Sequence, residues 1–90
     1  MNDPYELRIA RSAARALGEQ LPEAVAAAAY EFIVGPLLNN PQRVGKPLLP
    51  AMEPTWTARR GVYRILYLID DDNRTVTVTA VRHRSDAYRG

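Results

Sequence analysis

A chain of 90 residues with 47% hydrophobic and 24% charged residues has room for one compact domain and enough apolar surface to fold it, which excludes a disordered or multi-domain reading. With no cysteine and one histidine it builds neither a disulfide framework nor a thiolate or multi-imidazole metal site, so composition points to chemistry without a metal or other cofactor. Net charge is only +2, but eleven of the twelve cations are arginine, whose planar fork grips phosphate oxygens in pairs, which favours nucleic acid as a partner.

In chain order, Tyr5 to Ala10 alternates, with Tyr5, Leu7 and Ile9 on one side, and predicts a half-buried strand. Ser12 is placed to cap a short helix through Leu17, ending between Gly18 and Leu21 because Pro22 disfavours helical geometry in the residue before it. Pro22 suits the first turn of a second helix, in which Val25, Ala28, Ala29, Phe32 and Ile33 form one buried stripe. Gly35 and Pro36 either end that helix or bend it, leaving Leu37 and Leu38 as a further turn on the core. Asn39 to Pro54 holds four prolines and reads as a loop tacked down by Leu48 and Leu49.

Beyond it the period changes. Thr55 to Arg59, Val62 to Ile69 and Thr75 to Arg82 are predicted strands, turned at Gly61 and at the cluster Asp70, Asp71, Asp72 and Asn73, which also keeps the strand ends soluble. The order strand, helix, helix and three-strand meander predicts an α+β domain over residues 1–90, a mainly antiparallel sheet with the helix pair on one face and the other face open. Tyr63, Ile65, Tyr67 and Ile69 make the core row of the long strand, so Arg64 is expected on the open side.

No apolar run reaches the ~20 residues of a membrane span, and Met-Asn-Asp-Pro lacks the basic start and apolar stretch of a secretory leader. A cytoplasmic protein without membrane contact is expected.

The candidate chemistry lies in three groups: Arg43 with Lys46; Arg59, Arg60 and Arg64; and Arg82, His83, Arg84 and Tyr88. Counting outward from the acidic turn brings the last two groups to one end of the sheet, where several arginines can hold one phosphate. Cleavage of RNA by its own 2′-hydroxyl needs a base, charge stabilisation on the phosphate and an acid for the leaving 5′-oxygen. Arg64 and Arg82 suit charge stabilisation but cannot lose a proton, so His83 and Tyr88 are the alternatives for the base.

At these residues the sequence resembles the RelE/ParE toxin superfamily, and within it the RelE-like messenger-RNA endonucleases. The marks are Leu21-Pro22, Gly35-Pro36-Leu37, Asn40-Pro41, Arg-Val-Gly-Lys-Pro-Leu from Arg43, Ala-Arg-Arg-Gly from Ala58, Tyr-Arg-Ile-Leu-Tyr from Tyr63 and His-Arg-Ser-Asp-Ala-Tyr from His83. The resemblance implies the same strand, two helices and meander. It also implies a type II toxin that enters the ribosomal A site and cleaves messenger RNA there, leaving a cyclic phosphate and a 5′-hydroxyl, and an antitoxin protein that restrains it. By position, Arg64 looks like the family's phosphate-binding strand arginine, Arg82 like its second arginine, and Tyr88 like its C-terminal tyrosine. His83 and Arg84 match a His-Arg variant of that end. Where family members carry lysines on the second strand of the chain, this sequence has Thr55 and Thr57, with Arg59 and Arg60 following. Two other readings are a ParE-like inhibitor of DNA gyrase on the same fold, and a non-catalytic RNA-binding module. His83 with Arg84 and Tyr88 argues against the first, because an inhibitor needs no proton-transferring side chain. Few aromatics besides Tyr88 and Trp56 are placed for base stacking, which argues against the second.

Overall fold

The computed structural model describes residues 3–48 and 54–83. The chain runs β1 (Glu6–Ile9), α1 (Arg11–Arg15) continued by a π-helical turn (Ala16–Gln20), α2 (Glu23–Phe32) continued by a second π-helical turn (Ile33–Leu37), α3 (Pro41–Val44), β2 (Lys46–Pro47), β3 (Trp56–Arg60), β4 (Tyr63–Asp70) and β5 (Thr75–His83). The strands form one sheet in the order β1-β5-β4-β3-β2, with β1 parallel to β5 and the other pairs antiparallel. The α+β strand-helix-helix-meander architecture is the expected one, with β2 as an added edge strand. Among the described residues no helix is long and apolar enough to cross a membrane.

The core lies between the helices and one face of the sheet. Ala29, Phe32, Ile33 and Leu37 recur along α2 and its extension at helical spacing and meet Ile65, Tyr67, Val76 and Val78. Ala28, expected in the stripe, is exposed at its margin, and its carbonyl accepts a long hydrogen bond from the Tyr63 hydroxyl. At Gly35 and Pro36 the helix widens instead of stopping. Pro36 brings no N–H, a π-helical turn absorbs its ring, and the continuation buries Leu37 and Leu38.

Three local expectations are corrected. Ser12 is not the cap of α1, because β1 runs directly into the helix: Ala10 occupies the cap position with its N–H on the Val78 carbonyl, and the Ser12 hydroxyl donates to the Thr79 carbonyl at 2.8 Å. Pro22 precedes α2 in extended geometry, with φ −54° and ψ 146°, instead of lying in its first turn. The segment from Asn39 contains α3 and β2, and the Leu48 side chain is 44% exposed, so it does not anchor the loop to the core, although its backbone N–H donates to the Thr55 carbonyl at 2.7 Å; Leu49 lies outside the described residues. Its anchor is Pro41, fully buried, whose carbonyl accepts the Tyr67 hydroxyl at 2.7 Å.

Both turns form where expected, the first with Gly61 at φ +54°. In the second, the Asn73 side chain and then its backbone N–H hydrogen-bond Asp70, which lowers that carboxyl's pKa. Asp71 accepts from Tyr5 at 2.5 Å and from Gln42 at 2.9 Å, joining the N-terminal segment and α3 to the far end of the sheet.

Burial raises the Tyr67 pKa to about 12, against a smaller opposing pull from Arg60. Ionisation is therefore harder in the folded chain than in the unfolded one. The stability Tyr67 contributes is complete below about pH 10, the ordinary tyrosine value, and is lost as pH climbs toward about 12. Tyr67→Phe should remove that part of the alkaline loss, while costing about 1–3 kcal/mol at neutral pH for the Pro41 carbonyl left without its donor. Urea denaturation of both proteins from pH 7 to 11.5 checks it; parallel alkaline slopes would be the contrary result.

Candidate functional site

The face of the sheet turned away from the helices is built by alternation. On β4, Tyr63, Ile65 and Tyr67 are buried, so Arg64, Leu66 and Leu68 point to the open side. Pairing places Arg59 of β3 directly opposite Arg64, and Arg64 directly opposite Arg82 of β5. Three arginines thus form one row across three neighbouring strands, spanning about 10 Å at the usual spacing. One step along the sheet, Lys46 faces Thr57, and Thr57 faces Leu66, which puts Lys46 on the same side, diagonal to Arg59.

Like charges placed directly opposite in a sheet destabilise it by about 0.2–1 kcal/mol per pair. Among the described residues none of Arg59, Arg64 or Arg82 forms an ion pair that would offset this. Arg64 is half-buried while Arg59 and Arg82 are exposed, so the guanidinium groups stay reachable from solution. The acidic turn lies six residues along β4 from Arg64, about 20 Å away at strand rise. Side-by-side guanidinium forks match the oxygens of a phosphate in charge and geometry.

Arg82 reaches this face only because β5 is irregular. Near the acidic turn Tyr67 pairs with Val78, but beyond it Leu66 pairs with Ala80, leaving Thr79 as one extra residue. Plain alternation from Val76 and Val78 would carry Arg82 to the helix side. The sequence does carry a sign of the slip: the buried residues Val76 and Val78 are two apart, but the next, Val81, follows after three.

Other candidates separate from the row. Arg60 lies on the opposite face of β3: its guanidinium is 4.8 Å from the centre of the Phe32 ring and donates to the carbonyls of Arg59 and Val44. His83 pairs with Tyr63, whose ring packs edge-on against Phe32, so it falls on the helix side of the sheet's basic end. Trp56 stacks against Tyr67, with ring centres 6.4 Å apart, and serves the core. Arg43 is exposed at the end of α3. Arg84 and Tyr88 lie outside the described residues. Sequence reasoning missed Arg8, which pairs with Thr77 and extends the cationic open face toward the β1 edge. Thr57, noted in the sequence only as standing where family members carry a lysine, lies on the same face, and its buried hydroxyl has no hydrogen-bond partner among the described residues.

An α+β domain with helices on one face of its sheet and a row of arginines on the other has a RelE-like fold. Residues 6–88 match the family described as ParE toxin of type II toxin-antitoxin system, and the chain belongs to that family. It is 50% identical to Toxin RelE of Mycobacterium tuberculosis over 96% of this chain and 88% of that one. Identity to Toxin RelG of the same organism is 48%, over 96% of this chain and 98% of that one. Among solved structures, the toxin-antitoxin complex RelBE2 from M. tuberculosis matches with a TM-score of 0.85 and 46% identity, covering 91% of this chain and all (100%) of that one. The isolated E. coli RelE toxin shares the fold, with a TM-score of 0.71 at 22% identity over 88% of this chain and 83% of that one.

Proposed function

We propose that residues 1–90 act as one RelE-like toxin domain, a metal-independent endoribonuclease of the cytoplasm that cleaves messenger RNA in the ribosomal A site and so arrests translation. The observation that carries this reading is the row Arg59, Arg64 and Arg82 on the open face of the sheet. In the reaction the 2′-oxygen loses its proton to a base and bonds to the neighbouring phosphorus. The bond to the 5′-oxygen breaks, and that oxygen takes up a proton, leaving a cyclic phosphate and a 5′-hydroxyl. The extra negative charge on the phosphate at the transition state is what Arg64 and Arg82 stabilise, permanently charged and held on rigid strands. Arg59, Lys46, Arg43 and Arg84 bind the flanking backbone. Arg60, held against Phe32 and Val44, supports the site from the far side of β3.

For the base, register argues against His83, which falls on the helix side while the arginines face the other way, and leaves Tyr88 as the other candidate that the sequence offers. Tyr88→Phe should lower kcat at every pH and remove the rising limb of its pH profile, whereas His83→Gln should leave that limb in place. The reverse pattern would make His83 the base.

A cognate antitoxin is the natural partner, since the relatives include toxins solved as toxin-antitoxin complexes. An acidic or amphipathic segment would neutralise the basic face or add to a sheet edge, of which β1 and β2 are the two. The test is inducible expression with and without that partner, with message ends mapped in translating and non-translating extracts. Cuts within codons only during translation are expected. Supercoiling defects without cuts would instead indicate a ParE-like gyrase inhibitor.

A further inference from the structure

We propose that Ser12 and Thr79 are positioning residues, which hold the bulge that turns Arg82 onto the face occupied by Arg64; the proposal rests on the RNA-cleaving reading above. Pairing sums make the bulge explicit. Ile69 opposite Val76, Leu68 opposite Thr77 and Tyr67 opposite Val78 share one register, while Leu66 opposite Ala80, Ile65 opposite Val81 and Arg64 opposite Arg82 share one shifted by a residue. A shift of one residue exchanges the two faces of a strand. In the unshifted register Arg64 would meet Val81, and the guanidinium of Arg82 would be directed to the side where Tyr63 packs on Phe32.

Two hydroxyls fasten the extra residue from opposite sides. The Thr79 hydroxyl donates to the Leu66 carbonyl at 3.2 Å, tying the bulge to β4. The Ser12 hydroxyl donates to the Thr79 carbonyl at 2.8 Å, tying it to the first turn of α1. The bulge also lies where β1 stops pairing: Ile9 is opposite Val78, and the Ala10 N–H reaches the Val78 carbonyl at 2.9 Å before the chain turns into α1. The backbone of Thr79 has therefore lost the neighbour that β1 supplies to Thr75 through Val78, and the Ser12 hydroxyl takes its place at the Thr79 carbonyl. Neither hydroxyl belongs to the row of cations, and both act on the phosphate only through where Arg82 stands.

The experiment measures cleavage on programmed ribosomes for Thr79→Val, Thr79→Ser and Ser12→Ala, each with Arg82 present and in an Arg82→Ala background. With Arg82 present, Thr79→Val should lower kcat by about ten- to a hundred-fold, as for a displaced catalytic group. Thr79→Ser, which keeps the hydroxyl, should restore most of the rate. In the Arg82→Ala background neither Thr79→Val nor Ser12→Ala should lower the rate further, whereas a general loss of folding would. Nuclear Overhauser contacts between the backbones of Arg64 and Arg82 are recorded on the same proteins without RNA. They should be strong in the native chain and weakened in Thr79→Val. Equal loss of rate in both backgrounds, or unchanged contacts in the variants, overturns the proposal. A native chain that cuts nothing overturns the RNA-cleaving reading instead, and the backbone contacts still decide the bulge.

Discussion

Arg64→Ala and Arg82→Ala should each lower the cleavage rate by about 100- to 1,000-fold, the loss expected when one preorganised charge is taken from a transition state. Folding should hardly notice. Neither side chain is in the apolar core, and among the described residues neither makes an ion pair. Each substitution also relieves a like-charge pair across β4 and β5, so thermal stability should stay level or rise slightly. Arg64→Lys separates charge from geometry, because it keeps the cation but not the fork, and partial activity is expected. The double alanine variant should lose less than the product of the two single losses, since both act on one phosphate. Rate measurements on programmed ribosomes, with circular dichroism melts of the same preparations, check all of these.

Gly45→Ala should have the largest effect on stability. Gly45 has extended backbone, with φ −140° and ψ −166°, so its conformation would suit any residue. Space is the constraint: a β-carbon there would collide with the Tyr67 hydroxyl and stand 2.5 Å from the Thr57 carbonyl. Neither obstacle can easily withdraw. Tyr67 is fully buried and donates to the Pro41 carbonyl, and Thr57 is fixed in β3 between Lys46 and Leu66. Forced overpacking of this kind costs about 3 kcal/mol, which in a domain of this size lowers Tm by roughly 12–24 °C. Activity should fall as well, because Lys46 follows Gly45 and loses its place opposite Thr57. Combining Gly45→Ala with Tyr67→Phe removes one collision, so the pair should cost less than the sum of the single changes. A melt unchanged by Gly45→Ala would mean that Gly45 does not lie against Tyr67 and Thr57 as described.

Much of this was legible because it followed from periodicity. The row Tyr63, Ile65 and Tyr67 is strongly apolar, so the core face of β4 and the outward direction of Arg64 could be read directly. The stripe through Ala29, Phe32 and Ile33 likewise marked α2. Elements set by long-range contact were not legible. The β2 strand has two residues and exists only because β3 is beside it, and α3 is a single turn held by the burial of Pro41. Ser12 looked like a cap because capping is local, but its hydroxyl is engaged by Thr79, 67 residues away. The site was half legible. Arg64 and Arg82 were brought to one end of the sheet by counting, yet an unbroken count puts them on opposite faces, and the bulge at Thr79 reconciles the two. Arg59 and Arg60 were read together, although adjacent residues on a strand point to opposite sides.

The account depends on the open face of the sheet being where the RNA phosphate sits. Nuclear magnetic resonance of the arginine side chains tests this directly, using a codon-length RNA with a 2′-deoxy nucleotide at the cleavage position so that binding occurs without reaction. Addition of this RNA should shift the Nε–H signals of Arg59, Arg64 and Arg82 together, while that of Arg60, packed on Phe32, stays in place. A moving Arg60 signal while the row of three does not move would contradict it.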